Sequence, residues 1–139
     1  MDFAYLVTPF LTWAIVGPIK FLISSARNRR WAFSLVGNGG FPSNHSSVVT
    51  SMATLIALRE GIDHPAFGVA VTLAFIVMID ANSLRQHVGR QAAAINRLAS
   101  GAAGHTTLRE RMGHTLVEIG GGIVTGIGMG FLVFHLFGG

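Results

Sequence analysis

Hydrophobic and polar positions divide this chain into long apolar stretches joined by short polar or glycine-rich connections. From Ala4 to Ser25 the residues are apolar almost throughout, with Pro9 and Pro18 inside and Lys20 near one end. A bilayer-crossing helix needs roughly 20 such residues, prolines are tolerated there when neighbours satisfy the freed backbone groups, and Lys20 can reach the interface with its charged tip. Arg27 to Gly40 is a basic and then glycine-rich connection. Ser43 is placed to N-cap a helix running through the apolar residues Val48 to Leu58, short for a span. Glu60 to Pro65 reads as a turn, and Ala66 to Ile79 as a third apolar helix ending at Asp80. Residues 81–100 change character: Leu84, His87, Val88, Gln91, Ile95 and Leu98 alternate with Arg85, Arg90 and Arg97 at helical spacing, the pattern of an amphipathic interfacial helix. After a small-residue loop from Gly101 to Thr107, a last helix is expected from Leu108, and Thr115 to Phe137 is apolar except for Glu118. Its glycines (120, 121, 122, 126, 128 and 130) suit close helix packing in lipid. With no strand pattern and no tandem repeat, the expected fold is all-α. It is a single domain, residues 1–139, forming a polytopic membrane bundle of about four spans plus one interfacial amphipathic helix.

Composition supports the membrane class. Half the residues are hydrophobic and 12% are charged, against about a quarter charged in soluble domains; mean hydropathy is +0.55. There is no cysteine, which removes disulfide and thiolate chemistry. Asp2 stands where a secretory signal would be basic, so the first apolar segment is expected to be retained. Nine of the ten basic residues lie in or beside two connecting regions, Arg59 being the exception. On a four-span path those regions share one side, and the positive-inside rule makes it the cytoplasmic side. Clustered bases suit phosphate or anionic lipid head groups. Nucleic acid is set aside, because an apolar chain without a reading motif gives it nothing to dock on.

Three stretches carry candidate chemistry. Gly39-Gly40-Phe41-Pro42-Ser43-Asn44-His45 leads into a helix N-terminus, whose amides and macrodipole favour an anion, with His45 in the first turn for proton transfer. Lys20 and Arg27, seven apart, share a helix face. His114 and Glu118, four apart, also share a face, and a carboxylate on one imidazole nitrogen leaves the other available as a nucleophile. The plainer reading makes His45 a capping residue, lets Glu118 snorkel, and uses Arg109 and Arg111 as head-group anchors. Asp80 is expected to pair with Arg85 or Arg27. Trp13 and Trp31 read as packing or interface anchors. His87, seven after Asp80, reads as an interfacial histidine over a second His/Asp pair, and His64, His105 and His135 have no arranged partners and no metal-ligand spacing.

In order along the chain, Lys20-x6-Arg27, Pro42-Ser43-Asn44-His45 and Arg109-x4-His114-x3-Glu118 resemble the three-part signature of the type 2 phosphatidic acid phosphatases and vanadium haloperoxidases. The chain is most similar to the small divergent membrane branch of that superfamily, whose Asp-x4-Arg and Gly-x-Gln features have counterparts at Asp80 to Arg85 and Gly89 to Gln91. The resemblance implies a metal-independent phosphatase without cofactor, acting on a lipid phosphomonoester or diphosphate such as phosphatidylglycerophosphate, phosphatidic acid or a polyprenyl diphosphate. It makes His114 the nucleophile, Glu118 its orienting carboxylate and His45 the proton donor. Lys20, Arg27, Ser43, Asn44 and either Arg85 or Arg109 would bind the phosphate, with Asp80 holding the site together. There are four departures from the signature: Asn28 replaces a proline, Asn44 a glycine and Glu118 an aspartate, and the third motif is one residue shorter. The alternative is a catalytically silent lipid-phosphate binder or scaffold; a soluble haloperoxidase is poorly matched to so apolar a chain. Membrane lipids are the expected surroundings, the resemblance implying a bacterial inner (plasma) membrane, and the glycine-rich helices would permit a homodimer.

Overall fold

The computed structural model describes residues 3–28, 40–101, 104 and 106–138, with only the backbone for Arg27 and Asn28. The basic and glycine-rich connection 29–39, with Trp31, lies outside the described residues, as does His105. Among those described there is no strand, and the chain forms α1 (Ala4–Asn28), α2 (Asn44–Arg59), α3 (Pro65–Ile79), α4 (Arg85–Leu98) and α5 (Leu116–Leu136). A π-helical turn, Asp80–Leu84, joins α3 to α4.

The helices pack around α2, with α1 antiparallel to it and α5 parallel. The start of α2 lies beside the start of α5, where the Ser43 amide donates to the Glu118 carbonyl. Its end lies beside the start of α1 and the end of α5: Tyr5 donates to Glu60 Oε1 at 2.6 Å, and Arg59 donates to the Phe137 carbonyl at 3.0 Å. Of the four expected crossings, Ala4–Ala26, Pro65–Leu98 and Leu116–Leu136 are long and apolar enough to cross a membrane on their own. At 16 residues, or about 24 Å, α2 is shorter than a hydrocarbon core of roughly 30 Å. It is also the most enclosed helix, and its buried positions are largely hydroxylic: Ser46, Ser47, Thr50 and Ser51. The outer helices carry the apolar surface, with Phe10, Trp13, Leu73, Phe75, Val117 and Val124 all exposed.

Small residues determine how closely α5 approaches α2. A Cβ on Gly122, Gly126 or Gly130 would stand 2.6, 2.6 or 3.0 Å from the carbonyl oxygens of Ser43, Ser47 and Ser51 respectively. In lipid, where apolar contact between helices gains little over contact with acyl chains, such close packing holds helices together. Thr12 adds an inter-helix hydrogen bond to Ser51 Oγ at 2.9 Å. Gly120 and Gly128 have nothing within 4 Å of the added Cβ, so the glycine stripe serves mainly inside the bundle. Gly126→Ala is therefore expected to destabilise the bundle: overpacking costs about 1–3 kcal/mol, more than the ~1 kcal/mol that alanine gains in a helix. Gly128→Ala should leave the unfolding temperature in nanodiscs unchanged or raised. Equal responses at the two positions would contradict this packing.

The amphipathic segment expected at the interface is present as α4, but it is not a separate element. Backbone dihedrals stay helical through Ile79, Asp80, Leu84 and Arg85, so α3, the π turn and α4 form one unbroken run from Pro65 to Leu98.

Candidate active site

Four pieces of chain converge where α2 begins. The cis Phe41–Pro42 peptide leads into Ser43, which is fully buried. Its Oγ accepts from the Ser46 amide and hydroxyl, and its carbonyl accepts from the amide and hydroxyl of Ser47. Ser43 was expected among the phosphate ligands; its hydroxyl and amide are instead engaged in capping α2 and tying it to α5. The cavity wall is formed by the next two residues, Asn44 and His45. Their amides stand in the first turn, where no intrahelical acceptor exists. Asn44 Oδ1 is buried with no hydrogen-bond partner among the described residues.

His114 arrives from α5's side. Gly113, at φ 92°, occupies a backbone region that L side chains rarely adopt, and it turns the chain so that the His114 amide donates to the Ala81 carbonyl at 2.9 Å. Gln86 Nε2 reaches the His114 carbonyl at 3.4 Å. The approach segment, expected to be helical from Leu108, is irregular up to the Thr115 N-cap, because Asn96 of α4 takes its backbone groups. Asn96 donates to the Leu108 carbonyl at 2.7 Å and to Glu110 Oε1 at 2.9 Å. Asn96 Oδ1 in turn accepts from the Leu108 amide at 2.8 Å. Gly89 makes room for this crossing, because a Cβ there would collide with the Glu110 carbonyl. Thr115 and Glu118 form a capping box that opens α5, with the Thr115 amide donating to Glu118 Oε2 at 3.0 Å.

The same carboxylate oxygen lies 3.1 Å from His114 Nδ1. Glu118 thus accepts from both a backbone amide and the imidazole, fixing the tautomer with its proton on Nδ1 and leaving Nε2 as the lone-pair nitrogen. His114 is only 5% exposed. Burial lowers its pKa below the ordinary histidine value; the hydrogen bond to Glu118 opposes this, while the positive charges of Lys20 and Arg85 reinforce it. Its ring centroid is 6.0 Å from that of His45 in an edge-on arrangement. Arg85 Nη2 lies 3.2 Å from His45 Nε2; a guanidinium only donates, so this nitrogen is the unprotonated one.

Lys20, Arg85 and Arg109 border the cavity with Asn44, His45 and His114. Of the expected residues, Lys20, Asn44, His45, Arg85, Arg109 and His114 therefore line one cavity, and Glu118 backs His114. The Arg27 side chain lies outside the described residues, although its backbone continues α1 two turns beyond Lys20 on the same face. Asp80 is exposed, and Arg85, one of its two expected partners, is turned to His45 instead. Ser24, one turn past Lys20, and Met112 and Gly113, just before His114, also line the cavity without having been singled out. For Ser24 the signal was its place between Lys20 and Arg27 on the same helical stripe.

The comparisons with known proteins agree in kind. The Divergent PAP2 family matches residues 1–129 of the chain. A Bacillus subtilis (strain 168) protein described as "Uncharacterized membrane protein YuiD" is 34% identical over 137 residues, covering 86% of this chain and 84% of the relative. No solved structure matches.

Proposed function

This chain belongs to the Divergent PAP2 family, and from that premise we propose that it is an integral membrane phosphatase removing a terminal phosphate from a lipid through a phosphohistidine. The observation that carries this reading is the meeting of His114, already oriented by Glu118, with His45 at 6.0 Å beside a lysine and two arginines. In the proposed reaction His114 Nε2 attacks phosphorus in line, and the P–O bond to the lipid breaks. Lys20 and Arg85, with the first amides of α2, take up the charge developing on the phosphoryl oxygens. An incoming phosphate draws Arg85 from His45, and the adjacent dianion favours the imidazolium. His45 then gives its proton to the leaving alkoxide. In the second half it takes a proton from the water that releases inorganic phosphate. The clustered basic residues favour a site on the cytoplasmic side.

Purified protein in nanodiscs should release inorganic phosphate from phosphatidic acid, phosphatidylglycerophosphate or a polyprenyl diphosphate, and vanadate should inhibit it. No release across that panel, with retained phosphate binding, would leave a silent lipid-phosphate binder. The depressed pKa of His114 supplies a separate test. A lowered value keeps the ring neutral to lower pH, so nitrogen-15 NMR of histidine-labelled protein should find it titrating below 6.5, the ordinary value. Glu118→Gln removes a contribution that raises the pKa and should move the titration further to acid. Titration above 6.5 contradicts burial as the dominant influence, and a shift toward alkali in the variant contradicts the pairing with Glu118.

A further inference from the structure

The cavity, of ≈ 940 Å³, extends well beyond the cations. From Lys20 it follows α1 past Gly17 and Trp13 to Pro9, with Val48 and Val49 of α2 as floor and Val77 of α3 as far wall. α1 and α3 each pack on α2 but scarcely touch one another, so the gap between them opens sideways, toward the apolar surface of the bundle. Trp13 is 65% exposed along that opening. Cations at one end and an uncharged, apolar trough at the other complement an anionic amphiphile, head and tail together.

We infer that this groove holds a hydrocarbon tail of the lipid whose phosphate rests at Lys20 and Arg85, and that Gly17 keeps the groove passable. The inference rests on the proposed function for the phosphate at the cationic end, but not on turnover. From Lys20 to Pro9 is 11 residues, a rise of about 16 Å along α1, which sets the length of tail the protein itself can contact. Nothing lies within 4 Å of a Cβ added at Gly17, so a larger side chain there projects into the trough without first meeting a neighbour.

Alkyl phosphates separate head from tail. Binding to the full chain in nanodiscs, with empty nanodiscs subtracted, is measured by calorimetry for ethyl through octyl phosphate. Burial of a methylene from water is worth up to about fourfold in affinity, and about twofold in a half-open groove. Six added methylenes should therefore raise affinity about 60-fold or more. Gly17→Leu should cut the octyl-to-ethyl ratio at least about tenfold, and Val77→Trp, from the opposite wall, should do likewise. A flat series in the wild type, or a ratio unchanged in both variants, overturns the groove. Phosphate release in the same samples tells the two readings apart. Tail-dependent binding without release removes the hydrolase and keeps the groove. Equal release and equal binding of ethyl and octyl phosphate remove the groove and keep the hydrolase.

Discussion

Replacing His114 by alanine is expected to lower phosphate release by roughly 10⁴-fold or more, the scale on which removal of a covalent nucleophile acts. The fold should survive, because His114 is held by its backbone: its amide donates to Ala81 and its carbonyl accepts from Gln86. Phosphate binding should survive as well, since Lys20 and Arg85 are untouched. The chemical signature is a phosphohistidine, labile in acid, trapped on the wild type by rapid quenching and absent from the variant. Release within tenfold of wild type would show that another group attacks phosphorus. Loss of the trapped intermediate with turnover retained would point to direct attack by water, with His114 acting as base.

The second large effect is expected at Arg85. Arg85→Ala should reduce kcat/KM by about 10²–10³-fold, as loss of one preorganised charge-stabilising donor does, while Arg109→Ala should cost distinctly less. Both guanidinium groups border the cavity, but they are held differently. Arg85 stands 3.2 Å from His45, whereas Arg109 Nε donates to the Arg111 carbonyl at 3.2 Å and its residue is carried on the irregular segment before α5. The shortened third motif left these two arginines as alternatives in the sequence, and the geometry favours Arg85. A steeper loss from Arg109→Ala than from Arg85→Ala would reverse the assignment.

Much of this site was legible in the sequence because its members sit at helical spacings or at helix starts. His114 and Glu118, four apart, meet as that spacing suggested, although His114 precedes the Thr115 N-cap and the contact runs through the capping turn rather than along one helix face. Ser43 before an apolar run caps the helix that follows. What pattern could not supply was how backbone groups are consumed. The Ser43 amide donates to the Glu118 carbonyl, its side-chain oxygen accepts from Ser46, and its carbonyl accepts from Ser47. Asp80 was expected to pair with Arg85 or Arg27, but the Arg85 guanidinium stands beside His45, a contact 40 residues apart in the chain that no local spacing announces. The joining of α3 to α4 was equally hidden: a change from apolar to amphipathic composition suggests a boundary, but the dihedrals remain helical across it. The glycine stripe was visible, but which glycines meet α2 depends on three-dimensional facing, and only 122, 126 and 130 do so along that seam. The groove beside α1 was missed because it is a space between helices, and periodicity records what a helix covers rather than what two helices leave open.

The π turn has a further consequence. A wider turn inserted into a continuous rod resets the phase of everything after it, by about 100° and 1.5 Å for each residue accommodated. The Arg85 amide closes that turn on the Asp80 carbonyl, while the neighbouring Ala81 carbonyl receives the His114 amide from another strand of chain. Cation and nucleophile are thereby indexed to the same five residues, so that their relative aim is written in the screw of one helix and survives movement of that helix as a unit.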